Sequence, residues 1–154
     1  MVRAGRAVAA GMTTPLVKPL YTARATATGG RSGHAVTDDG QVDVHLKPPK
    51  EMGGPGGGTN PEQLFAAGYA ACFASAIGAV ARGTGQDVKD VSVTAEVGIG
   101  GSVEAGFNLS VVLRVELPEA LAGEPGRVLV EKAHQVCPYS NATRGNIPVE
   151  LVVE

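Results

Sequence analysis

No charged residue occurs from Leu64 to Ala81, inside the segment NPEQLFAAGYAACFASAIGAVARG at residues 60–83. Its start carries the marks of a helix N-terminus. Asn60 is a capping residue, Pro61 suits the first helical position, and Glu62 places negative charge where the macrodipole favours it. Arg82 and Gly83 close the segment in the order expected of a C-terminus. A helix apolar on every side must be buried on every side or lie in a membrane. Burial is the expectation, because the stretch barely reaches spanning length and is built from Ala and Gly rather than Leu, Ile and Phe.

The segments around this helix show the period of two that marks half-buried strands. Residues 20–28 alternate Ala23, Ala25 and Ala27 against Thr22, Arg24, Thr26 and Thr28. A short strand at 35–37, the turn Asp38-Asp39-Gly40 and a strand at 41–46 complete a three-stranded meander. The Pro/Gly-rich loop 47–59 leads into the helix. Beyond it, 91–99 and 109–117 alternate strictly and are joined through a Gly-rich hairpin, so both read as antiparallel strands. A second helix is expected over 127–136, stopped by Pro138, with turns over 138–146 and a last strand over 147–153. The order βββ-α-ββ-α-β is α+β, antiparallel sheet packed against helices around a long buried central helix.

At 154 residues the chain is long enough for one domain with a real core. That domain is expected over residues 19–154, preceded by a poorly ordered extension over 1–18, with Met1 or Met12 as the start. The N-terminal apolar run is too short for a signal peptide. A net charge of −2, with no Lys/Arg cluster, argues against nucleic acid as a partner. Two cysteines are too few for a disulfide scaffold, which points to a reducing, cytoplasmic setting.

Those two cysteines are the candidate chemistry. Cys72 sits halfway along the central helix, and free cysteine is among the most buried residue types, so periodicity alone leaves an inert core thiol open. Small residues at Gly68, Ser75, Ala76 and Ala79 let another element approach the Cys72 face, bordered by Phe65, Tyr69 and Phe73. Cys137 ends the second helix on its apolar stripe, with Val130, Ala133 and His134. If the two stripes pack together, the sulfurs come within disulfide reach. At a helix C-terminus the dipole would disfavour a Cys137 thiolate. Cys-Pro-Tyr-Ser lacks the second cysteine of a thioredoxin-type motif. Cys72, Cys137 and His134 match no common zinc spacing, and GGPGGG lacks the Gly-Lys-Ser/Thr end of a phosphate loop. No metal or cofactor is expected.

Four stretches resemble the OsmC/Ohr family, in its organic hydroperoxide resistance branch: YTARATATGGR at 21–31, KEMGG at 50–54, TNPEQLFAAGYAACF at 59–73 and AHQVCPYSNATRGNI at 133–147. The resemblance implies an intertwined homodimer with sites at the subunit interface. It implies a thiol-dependent peroxidase, active in oxidative-stress defence, that reduces organic and fatty-acid hydroperoxides. By motif, Cys72 corresponds to the peroxidatic cysteine, Cys137 to the resolving cysteine, Arg31 to the thiolate-activating arginine, and Glu51 to a glutamate that orients Arg31. A lipoylated protein or other dithiol is the implied reductant, and no membrane or nucleic-acid partner is implied. An apolar lining from Met52, Leu64, Phe65 and Phe73 is expected to favour alkyl hydroperoxides. Two alternatives remain: the OsmC branch of the same family, and a non-catalytic dimer that binds apolar ligands.

Overall fold

The computed structural model describes residues 18–154. The extension expected over 1–18 lies, save its last residue, outside the described residues. The strands and helices follow the expected order, with one addition. Strands β1 (Ala25–Thr28), β2 (His34–Thr37) and β3 (Asp43–His45) form an antiparallel meander. The central helix α1 spans Pro61–Thr84, and strands β4 (Ser92–Ser102) and β5 (Gly106–Glu116) form a long hairpin. Helix α2 (Glu124–Val136) runs into a short helix α3 (Pro138–Thr143), and β6 (Val149–Val153) ends the fold.

Two features depart from the reading of the sequence. The segment expected as turns over 138–146 contains α3, because Pro138 ends α2 but is well suited to open a new helix. The last strand pairs parallel to β5, giving the sheet order β4-β5-β6. A parallel neighbour needs a crossover, and α2 with α3 supplies it. The second sheet is therefore mixed, while the other strand pairings among the described residues are antiparallel, apart from an isolated parallel bridge between Leu46 and Thr59.

Alternation places the core. Val111, Leu113 and Val115 of β5 are buried, and α1 and α2 pack on that side. The opposite face carries Arg114, whose Nε donates to Glu96 on β4 at 2.5 Å. Helix α1 begins with a capping box: Asn60 accepts from the Gln63 N–H at 2.9 Å, and Gln63 accepts from the Asn60 N–H at 3.1 Å. It ends at Gly85, which takes the left-handed conformation at φ 70°.

Helix α1 is not buried on all sides within one chain. Tyr69, Phe73, Ala76, Ile77 and Ala81 are buried, but Ala67, Ala71, Ser75 and Ala79 form an exposed stripe. The expected burial corresponds only to the face turned towards the sheet and α2. The meander β1–β3 makes its main contacts within itself, and all four residues of β1 are exposed.

Candidate active site

The two sulfurs meet where three helices converge. Cys72 is half-buried at the middle of α1, and Cys137 is fully buried at the junction of α2 and α3. Their Sγ atoms lie 3.6 Å apart although 65 residues separate them. A shift of about 1.5 Å would bring them to bonding distance. Cys137 closes α2 by donating its N–H to Ala133 and opens α3 by accepting from the Asn141 N–H, both at 2.9 Å. It thus stands at the end of one helix and the start of another.

Burial pushes the Cys72 thiol up from its ordinary value, and a second sulfur beside it adds to the rise because two adjacent thiolates repel. The Tyr139 backbone N–H, in the first turn of α3, pulls it back down. No cation of the described residues is among these causes.

Arg31 stands on a tight turn at Gly30–Ser32, between β1 and β2. The turn is built from glycine for steric reasons. A Cβ on Gly33 would sit 1.7 Å from the Thr28 carbonyl oxygen, and Gly29 holds φ at 75°. The guanidinium makes a two-pronged contact with Glu62, Nη1 to Oε2 at 2.8 Å and Nη2 to Oε1 at 2.7 Å. The fork geometry suits a carboxylate. Hydrogen bonding to Arg31 holds the Glu62 carboxyl below the usual range, and Glu62 in turn raises Arg31.

Glu62, not Glu51, is therefore the carboxylate that orients Arg31. Glu51 sits on an exposed turn at Lys50–Met52, closed by Met52 and Gly53 N–H groups donating back to Pro49 and Lys50. It borders the same shallow depression as Glu62 and Met52 but does not reach the guanidinium. In the sequence Glu62 reads only as a favourable charge in the first turn of a helix. Its partner lies 31 residues upstream, a pairing no local pattern reveals. Two other arginines are engaged elsewhere: Arg24 pairs with Asp38, and Arg144 donates to Asn141 and to the His134 carbonyl.

Of the four expected lining residues, only Phe65 faces the main apolar cavity, about 660 Å³, which Phe107, Leu109, Tyr139 and Ile147 also border. Phe73 has no exposed surface and packs between the Tyr69 and His134 rings, so it belongs to the core. Met52 and Leu64 are exposed, away from that cavity. Tyr139 did not stand out in the sequence. Its ring rests on α1 at Gly68, where a Cβ would come 2.8 Å from its hydroxyl, and lies 6.0 Å from the Phe65 ring.

Comparison with known proteins agrees with this fold. The model of the OsmC-like protein family matches residues 54–152. An organic hydroperoxide resistance protein of Xanthomonas axonopodis pv. citri is 56% identical over 138 residues, covering 88% of this chain and 96% of its own. The Bacillus subtilis protein OhrB, of the same description, is 44% identical over 133 residues, covering 86% and 96%. The crystal structure of an organic hydroperoxide resistance protein from Legionella pneumophila superposes with a TM-score of 0.84 at 52% identity, covering 89% of this chain and 99% of that one. The chain belongs to the OsmC/Ohr family, in its organic hydroperoxide resistance branch.

Proposed function

We propose that the protein is a cysteine-based peroxidase that reduces organic and fatty-acid hydroperoxides to alcohols in oxidative-stress defence, in the cytoplasm. The observation that carries this reading is the 3.6 Å approach of Cys72 and Cys137, a reactive pair half-open to solvent at Cys72 and closed at Cys137. The Cys72 thiolate attacks the terminal oxygen of the hydroperoxide. The S–O bond forms, the O–O bond breaks, and the alkoxide leaves and takes a proton to become the alcohol. Cys72 is left as a sulfenic acid. The Cys137 sulfur then attacks Cys72, an S–S bond forms and water leaves. A dithiol reductant of the lipoyl type exchanges with the disulfide, becomes a cyclic disulfide itself and restores both thiols.

This chemistry needs a thiolate, and within one chain burial opposes it. The activating cation is Arg31 of a second copy. Glu62 and Cys72 lie ten positions apart on one helix, about 15 Å along its axis, so the Arg31–Glu62 pair stands well away from the thiol of its own chain. The exposed stripe Ala67, Ala71, Ser75 and Ala79 supports close approach of another α1, and the loosely attached meander β1–β3 supports an arm that embraces a partner. Docked there, Arg31 stabilises the Cys72 thiolate and the leaving alkoxide, while Glu62 holds its fork in place. The apolar tail of the substrate occupies the cavity beside Phe65 and Tyr139. The test mixes reduced protein with cumene hydroperoxide and dihydrolipoamide and follows peroxide loss. Turnover is expected, and its survival in Cys72→Ser would overturn the reading.

A further inference from the structure

We propose that a one-way chain of hydrogen bonds, from His134 through Ser140 and Tyr69 to Thr143, positions Cys137 against Cys72 and sets how readily the pair closes to a disulfide. The proposal rests on Cys72 and Cys137 acting as a redox pair, as argued above. The four side chains come from all three helices that meet at the sulfurs. Tyr69 lies on α1, three residues before Cys72. His134 lies on α2, three residues before Cys137, and Ser140 and Thr143 lie on α3, just after it. Tyr69 and Ser140 have no exposed surface, and Thr143 is 4% exposed.

The direction of the chain follows from counting protons. Thr143 Oγ1 donates to the Ser140 carbonyl at 3.2 Å, which uses its only proton. The 3.0 Å contact between Tyr69 and Thr143 must then be donated by the Tyr69 hydroxyl. The 2.9 Å contact between Tyr69 and Ser140 must be donated by Ser140. The Ser140 hydroxyl then has no proton left for His134, so the 2.8 Å contact between them is donated by His134 Nδ1–H. Only the Nδ1–H form of neutral His134 completes the series.

The position of this chain gives it a consequence for the thiols. At Cys137 the backbone turns from α2 into α3 with ψ at 124°, so no continuous helical ladder fixes the angle between them. An apolar contact tolerates sliding, whereas a completed set of buried hydrogen bonds specifies both distance and angle. The set holds α3 to α1 through Tyr69 and to α2 through His134. It also seats the Tyr139 ring on Gly68.

The test uses the purified full-length protein. Nitrogen NMR of histidine is expected to show His134 in the Nδ1–H form, and an Nε2–H form overturns the direction of the chain. The Cys72–Cys137 equilibrium is then measured in glutathione redox buffers, which requires no peroxidase activity. Tyr69→Phe and His134→Leu are expected to lower the effective concentration of Cys137 by about tenfold, the scale of one buried hydrogen bond. His134→Asn, which keeps a donor near Nδ1, is expected to stay near wild type. Alkylation of Cys72 in a Cys137→Ser background is expected to be unchanged by all three. Equal closure in wild type and in both variants overturns the proposal, as does failure of the Asn rescue. Should Tyr69→Phe not fold, the His134 pair alone decides. A wild-type protein that closes the disulfide but consumes no hydroperoxide sinks the peroxidase reading and leaves this result standing.

Discussion

Cys72 needs a cation more than it needs further burial. Its thiol is raised by desolvation and by the neighbouring sulfur, and a raised thiol is less ionised at neutral pH. Alkylation of Cys72 should therefore rise with pH until the thiol is fully ionised. On the proposed mechanism the midpoint should lie lower in the assembled protein than in a monomeric variant, since the proposed assembly is what brings Arg31 to the sulfur. A midpoint indifferent to assembly would remove Arg31 from the mechanism. Glu62 gives a second test at this scale. Its folded value is depressed, so the Arg31 contact contributes stability above the ordinary carboxylate range and loses it as pH falls through the lowered value. Glu62→Gln should cost roughly 1 kcal/mol at pH 7, modest because the Arg31 side chain is 39% exposed. That gap should shrink in thermal melts as pH falls below the ordinary carboxylate range, and a constant gap would deny the ion pair its role. The cysteines were legible from the sequence because their motifs surround them. Glu62 was not, since a carboxylate in a first helical turn has the same local appearance whether or not an arginine from another loop meets it.

The turn that carries Arg31 shows how an element constrains a residue. Gly33→Ala would drive a Cβ into the Thr28 carbonyl, a backbone clash that no side-chain rotation relieves. It should cost about 2 kcal/mol or more, and it should lower peroxide turnover strongly while Cys137 still closes onto Cys72 when the thiols are oxidised. Loss of both steps together would mean that the turn supports the whole fold rather than the arginine. The alternation of β4 and β5 and the capping signals of α1 announced those elements, because each depends on residues close in sequence. Helix α3 escaped, since Pro-Tyr-Ser-Asn reads as a turn until the buried Ser140 and Thr143 show what it packs against. The parallel pairing of β6 escaped for a related reason: strand direction is decided by the crossover, not by the strand.

At the scale of the whole molecule, the proposed assembly joins two copies through the exposed small-residue stripe of α1 and the meander. Ser75→Arg, on that stripe, should shift the protein to a monomer in analytical ultracentrifugation and lower peroxide turnover by about a hundredfold or more, since loss of a charge-stabilising group is typically of that size. A monomer that keeps full turnover would place the whole site within one chain. The α+β class, the order of the main elements and the two cysteines were determined by the sequence alone. They rest on periodicity, capping and short motifs that neighbouring residues carry together. The tertiary structure decided which carboxylate holds Arg31, which aromatic rings border the cavity, and the polar chain that joins three helices at the sulfurs. Those choices depend on contacts between residues far apart in the chain, and only the packing of helices and loops brings them within hydrogen-bond reach.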